Sequence, residues 1–151
     1  MIRLSKKIEY AILAMQYIAL NDGKQVSAKE LSDKLAISFD FLSKTLQLLY
    51  KRGLVKSMQG IHGGYSLSKK AEDTSLEEII TAIDGVKPSI LKCLSEEDVN
   101  DCSRVSICSI RSPMLNIQDS LRGIFRSTTI ADLNNKITLD SYKTMDNLAT
   151  I

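Results

Sequence analysis

The sequence predicts a mainly α fold with a small β-hairpin wing: a winged helix-turn-helix followed by a long C-terminal dimerisation helix. Three observations lead there. A short helix-period segment, a tight turn and a longer, polar-faced helical segment succeed one another over residues 27–52. Two alternating segments, LVKSM (54–58) and YSLS (65–68), then flank the glycine-rich QGIHGG, as in a hairpin with a flexible tip. Finally, residues 113–126 form a helical segment with more apolar positions than one buried face needs, which suits packing against a second subunit.

Each element has its own signal. Residues 5–20 have helical period: Ile8, Ile12, Met15 and Ala19 share a stripe, with Ala11 and Ile18 beside it. Ser5 is the expected N-cap and Asn21-Asp22-Gly23 the stop. Ser27-Ala28-Lys29-Glu30 reads as a capping box, a hydroxyl and a carboxylate satisfying helix-start amides reciprocally. It opens a short helix with Leu31, Leu35 and Ala36 inward. Ile37-Ser38 turns the chain into a second helix over 39–52, with Phe41, Leu42, Leu46 and Leu49 as its apolar stripe and Gly53 as its end.

A hairpin directly after such a pair is a wing. Thr74-Ser75-Leu76-Glu77 reads as a second capping box, before a helix with Leu76, Ile79, Ile80 and Ile83 inward and Asp84-Gly85 at its end. Residues 86–112 have no period. Ser112-Pro113 reads as N-cap and first-turn proline of the long helix, whose apolar positions are Leu115, Ile117, Leu121, Ile124 and Phe125. Thr129 to Asp132 reads as one more capped turn, and the polar, aperiodic chain after Lys136 is expected to fray. The organisation is therefore a DNA-binding domain over 1–85, a cysteine-bearing loop over 86–112, a dimerisation helix region over 113–136 and a flexible tail over 137–151.

Charge is divided along the chain. Residues 1–70 carry 12 Lys and Arg against 5 Asp and Glu, whereas residues 71–151 carry 8 against 13. Polyanion contact therefore belongs to the first half. The recognition helix should present Asp40, Ser43, Lys44 and Gln47 to a major groove, with Ser38 and Phe39 at its N-terminal end. Ser, Gln and Lys can contact bases or phosphates, and Asp40 can accept from a cytosine amino group. Lys51, Arg52 and Lys56 are placed for phosphates, while the wing offers Gln59, His62 and bare glycine backbone. The bland alternative for this face is a solvated helix or a protein-contact module.

All three cysteines of the chain, Cys93, Cys102 and Cys108, lie in one polar stretch with spacing C-x8-C-x5-C. Cysteine is ordinarily a small buried hydrophobe, but Glu96, Glu97, Asp98, Asn100, Asp101 and Arg104 surround these three. Thiolates close in sequence suit an iron–sulfur cluster, zinc or copper(I). The spacing lacks the paired short knuckles of a structural zinc finger. A fourth ligand is open among Asp98, Asp101, Ser109, Glu9 and His62; His62, on the wing, is more simply a DNA-facing residue. The competing reading is a thiol switch, against which the acidic surroundings argue by raising thiol pKa.

The segments RLSKKIEYAILAM, VSAKELSDKLAISFDFLSKTLQLLYKRGLV, QGIHGGYSLSK and SLEEIITAIDG, with the three-cysteine loop after them, resemble the IscR/NsrR (Rrf-two) family over residues 2–137. The resemblance implies a homodimeric winged-helix transcription regulator of a family in which many members carry an iron–sulfur cluster. It implies Cys93, Cys102 and Cys108 as cluster ligands, with Glu9 supplied from the partner subunit. It places DNA contacts at Asp40, Phe41, Ser43 and Lys44 on the recognition helix and at Gln59 and Gly60 on the wing. Ser109, Ile110 and Arg111 follow Cys108 where some members have a histidine, so a 4Fe–4S cluster is expected over a histidine-ligated 2Fe–2S one. Operator affinity would then follow redox, nitric oxide or iron and cluster status.

The remaining expectations are exclusions. Arg3, Lys6 and Lys7 before IEYAILAMQYIAL mimic a secretion signal, but Glu9 and Gln16 interrupt the apolar run and no A-x-A pattern follows. Nothing approaches the ~18 apolar residues of a membrane span. The expected protein is cytoplasmic, with reduced thiols, no membrane partner and no small-molecule substrate. No nucleophile–base pair is visible, so an enzyme is not expected. The rivals are a cluster-free thiol- or zinc-responsive regulator on the same fold and a protein-interaction module.

Overall fold

A computed structural model describes residues 3–95 and 102–135. The expected tail over 137–151 and the acidic stretch with Asp98 and Asp101 lie outside the described residues. In chain order the elements are α1 (Lys6–Leu20), α2 (Ala28–Leu35), α3 (Phe39–Lys51), β1 (Val55–Met58), β2 (Gly64–Leu67), α4 (Leu76–Asp84), α5 (Arg111–Ser127) and α6 (Ile130–Asn134), with short 3-10 turns at Ala71–Asp73, Lys92–Leu94 and Val105–Ile107. This is a mainly helical fold with a two-stranded wing, as the patterning requires.

Helix α1 forms because Ser5 accepts from the Ile8 amide and apolar residues recur through four turns. Its polar side is thin, and it is covered on several sides: Ile8, Ala11, Ala14, Met15, Tyr17 and Ile18 are all buried. It packs against α2, α3, α4, α6 and β2. The shared core adds Leu31, Leu42, Leu46, Leu49, Val55, Ile79, Ile80 and Ile130. Burying such aliphatic side chains, at roughly 1.5–3 kcal/mol each, is the main force that holds the head together.

Three expected caps differ from their sequence reading. Ser27 does accept from the Glu30 amide, but the Glu30 carboxylate instead accepts from the Tyr17 hydroxyl at 3.0 Å. A contact thirteen residues away has displaced the local box. Before α4 the box is shifted by one residue. Ser75, rather than Thr74, is the N-cap, and Glu78 is its reciprocal partner; Thr74 is fully buried and Glu77 pairs with Arg126 of α5. Helix α5 begins at Arg111, so Ser112 and Pro113 lie inside its first turn, where a proline costs no hydrogen bond.

The turn between α2 and α3 is tight. Ala36 takes a left-handed conformation at φ 53, which ordinarily favours glycine. The Ser32 hydroxyl donates to the Ile37 carbonyl at 2.7 Å, and the Ile37 side chain is buried, so the turn is fixed from both sides. Strands β1 and β2 pair antiparallel from Val55 opposite Leu67 to Met58 opposite Gly64. Val26 bridges to Tyr65 on the other side, tying the wing to the helical body.

The Glu78 capping carboxylate yields a pH expectation. Burial alone would raise its pKa, but the Lys69 ammonium and the Ser75 amide and hydroxyl outweigh burial and hold it below the ordinary range. A depressed folded pKa stabilises the fold above the ordinary glutamate value, and that contribution is lost as pH falls through the depressed value. Glu78→Gln should therefore lower the melting temperature at neutral pH and reduce its fall between about pH 5 and 3. Thermal melts across that window check this; identical acid limbs would contradict it.

Candidate nucleic-acid interface and cysteine arm

Helix α3 turns Leu42, Thr45, Leu46 and Leu49 into the core. The buried Thr45 hydroxyl is satisfied by the Phe41 carbonyl at 3.0 Å. The opposite side is left to solvent: Ser38, Asp40, Phe41, Lys44 and Gln47 are exposed and Ser43 is half-buried. Ser38 makes no side-chain cap bond, so its hydroxyl and the first amides of α3 remain open to an anion, the arrangement that suits a phosphate at a helix start. Lys51, Arg52 and Lys56 are exposed close by in sequence.

The wing carries Gln59, Gly60 and His62, all exposed. Between them Ile61 is 99% exposed, an apolar tip that the sequence reading passed over. The wing can reach outward only because its base is thin. A Cβ at Gly64 would lie 2.7 Å from the Val26 carbonyl, inside van der Waals contact, because Tyr65 and Val26 exchange backbone hydrogen bonds of 2.8 and 2.9 Å there.

Glu9 sits in the first turn of α1, paired with the Lys6 ammonium at 2.6 Å. The next residue, Tyr10, meets Phe41 edge to face, with ring centroids 5.2 Å apart at 85°. That contact joins the start of α1 to the recognition helix and had no sequence signal, since the two rings are thirty-one residues apart.

Cys93, Cys102 and Cys108 are free and half-buried. Cys93 is the middle residue of the turn Lys92–Leu94; Cys108 ends the turn Val105–Ile107, just before α5. The Arg111 Nε, in the first turn of α5 and three residues after Cys108, is buried with no hydrogen-bond partner. The thiols suit a soft metal. Their placement does not by itself gather them: among the described residues no three His, Cys, Asp or Glu side chains form a group able to hold a metal ion. Ser109 is exposed, and Glu9 and His62 lie on α1 and the wing, so the described protomer does not bring the expected ligands together.

The cysteine arm is held to α5. The Arg122 Nε donates to the Pro88 carbonyl at 2.7 Å, and Gln118, 1% exposed, bonds to the chain on both sides of Cys93. Gln118 was missed because an amide on a helix reads as surface; the available signal was its i+3 spacing from Leu115 and Leu121. On the outer side of α5, Ile117 and Ile124 are more than half exposed, as is Ile110 at its N-cap. Their seven-residue spacing makes an apolar stripe of the kind that seams two helices together.

A helix-turn-helix with an exposed polar recognition face and a glycine-tipped wing defines a DNA-binding transcription regulator. The chain belongs to the Rrf2 family, described as iron-dependent transcriptional regulators, whose model matches residues 4–136. It is 32% identical, over 97% of both chains, to a protein of Haemophilus influenzae named an HTH-type transcriptional regulator. It is 31% identical to the HTH-type transcriptional regulator IscR of Escherichia coli over 91% of this chain and 84% of that one. Among solved structures it is similar to CymR, the global cysteine regulator of B. subtilis, at 27% identity and TM-score 0.72 over 89% of this chain and 98% of that one. T. potens IscR is similar at 26% and 0.70, over 89% and 87%. These relatives are named regulators, not enzymes. No helix among the described residues is long and apolar enough to cross a membrane.

The wing base gives a direct expectation. Gly64→Ala must push β2 away from Val26, so operator affinity should fall on the order of tenfold, the scale of one good nucleic-acid contact, with helix content retained. Fluorescence anisotropy with circular dichroism checks this, and unchanged affinity would contradict the wing's role.

Proposed function

We propose that this protein is a homodimeric, cytoplasmic regulator that binds a two-fold related DNA operator and whose affinity follows the state of its cysteine arm. The observation that carries the reading is the pairing of an exposed DNA-reading face on α3 and the wing with three free thiols on a segment bonded to the long helix α5. Ser38, Asp40, Phe41, Ser43, Lys44 and Gln47 would meet the major groove, and Gln59, Gly60 and His62 the flanking backbone or minor groove. The stripe of Ile110, Ile117 and Ile124 supports pairing through α5.

An iron–sulfur cluster is the first choice for what the arm carries, with 4Fe–4S preferred over 2Fe–2S. Iron dependence is the family's description, and Cys93, Cys102 and Cys108 would hold the cluster together with the partner's Glu9. When bound, such a cluster supplies an oxygen- and nitric-oxide-reactive redox centre. The chain's own part is mechanical. Engagement of Glu9 by the partner's cluster would load the first turn of α1, and Tyr10 would pass that load to Phe41 on α3 through their edge-to-face contact. Coupling of this kind needs only that the two states bind DNA differently.

A second reading is a cluster-free regulator answering to its thiols or to zinc; its thiol form is supported by one observation, that the described protomer leaves the three cysteines ungathered. The likeness to CymR, named a cysteine regulator, points the same way.

Anaerobic purification with a visible spectrum and iron and sulfide counts per dimer separates the two. The first reading expects a coloured protein with matched iron and sulfide, lost in Cys102→Ala. A colourless protein after anaerobic reconstitution selects the second. Under either reading operator affinity should fall steeply with salt, as phosphate contacts by Lys44, Lys51, Arg52 and Lys56 release counterions; salt-independent binding would contradict DNA recognition by this face.

A further inference from the structure

The middle of α5 holds a fully buried amide whose hydrogen bonds all go to one short stretch of chain. The Gln118 Oε1 accepts from the Ser89 hydroxyl at 2.9 Å and from the Ile90 amide at 3.2 Å. Its Nε2 donates to the Leu94 carbonyl at 3.2 Å. These partners bracket Cys93. One helical turn further on, Arg122 holds Pro88, and the Leu94 side chain at the end of the same stretch is buried. A leucine at position 118 would bury as much apolar surface without the cost of desolvating an amide. The amide brings attachment: a buried polar group left partly unsatisfied is costly, so the turn around Cys93 moves with α5 or breaks these bonds together.

We infer that Gln118 is a positioning residue that fixes the Cys93 thiol against α5 and passes a change at that thiol to the helix. This deepens the regulator reading, since it assumes the cysteine arm is the sensor. A group added at Cys93, whether metal or modifying agent, must be accommodated by a turn pinned at Ser89, Ile90 and Leu94. The strain is then taken up by α5, which is joined to α4 by Arg126 and Glu77 at 2.9 Å. Helix α4 in turn packs on both α1 and α3.

Two substitutions grade the clamp. Gln118→Met keeps the volume and loses every bond, whereas Ser89→Ala, at an exposed position, removes one of Gln118's three partners together with the same hydroxyl's contact to the Leu91 carbonyl at 2.7 Å. The metal-free protein is alkylated with iodoacetamide, and mass spectrometry gives the rate at Cys93 relative to Cys108 in the same molecule. The ratio should rise about tenfold in Gln118→Met and about two- to threefold in Ser89→Ala, the scale of the bonds removed. Affinity for a duplex selected from random DNA by the unsubstituted chain is then measured before and after alkylation. The change that alkylation causes should shrink in both variants, more in Gln118→Met. An unchanged rate ratio in Ser89→Ala and Gln118→Met overturns the clamp. A raised ratio with an undiminished DNA response overturns the coupling. If alkylation leaves the unsubstituted chain's DNA affinity unaltered, the sensor reading itself fails and takes the coupling with it, while the rate ratio still decides the clamp.

Discussion

Burial of α1 on nearly all sides is the constraint on which the rest of the structure depends. The helix touches α2, α3, α4, α6 and β2, and the residues that make those contacts, from Ile8 to Ile18, leave little of its circumference for water. Each neighbour is amphipathic and could not hide its apolar stripe alone. Packed on α1, α3 is left with one free face, on which Asp40, Lys44 and Gln47 stand beside the exposed rings of Phe39, Phe41 and Tyr50. The DNA-reading surface is thus a by-product of which residues the core takes: Leu42, Thr45, Leu46 and Leu49 go in, and Asp40, Lys44 and Gln47 are left out. Because interiors are close-packed, a displacement of α1 has no slack in which to dissipate before it reaches α3.

The cysteine arm is built on a different principle. Of the described residues between 86 and 110 only Leu94 buries a large apolar side chain, and polar contacts hold the arm instead: Gln118 and Arg122 from α5 and the 3-10 turns at Lys92–Leu94 and Val105–Ile107. Such segments open at lower free energy than a core does, and a part that answers to its surroundings needs that property. The contacts run from Ser89, Ile90 and Leu94, around Cys93, through Gln118 to α5, from Arg126 to Glu77 on α4, and from α4 to α1 and α3. A second route would begin at Glu9 and cross at Tyr10 and Phe41. Both routes would pass through α1, which packs on α3 and α4 alike.

Much of this was legible in the sequence where local rules decide. Helical period, Ser5 as a cap, the Gly53 stop and the alternation around QGIHGG placed α1, α3 and the wing within a residue or two. Local rules failed where distant partners won. Glu30 was expected to close its own helix start, but Tyr17 takes its carboxylate. Glu77 was expected to cap α4, but Arg126 holds it and Glu78 caps instead. At the site, spacing suggested the three cysteines as a set but carried no information about whether a single protomer gathers them. Asp98 and Asp101, two of the candidate fourth ligands, lie outside the described residues. Gln118 and the Tyr10–Phe41 contact were hidden for a common reason: their roles depend on residues far away in the chain, and neither an amide nor an aromatic ring declares its partner.

In the proposed regulator the state of the three thiols sets the grip on DNA. This dependence is tested most directly by operator affinity, at fixed salt and under anaerobic conditions, for the iron- and sulfide-reconstituted chain beside the same chain with Cys93, Cys102 and Cys108 all replaced by serine. The account predicts that the two differ by about fivefold or more, the lower bound of a typical coupling between sites, with the same helix content. Equal affinities would leave a DNA-binding protein whose cysteine arm has no part in its control.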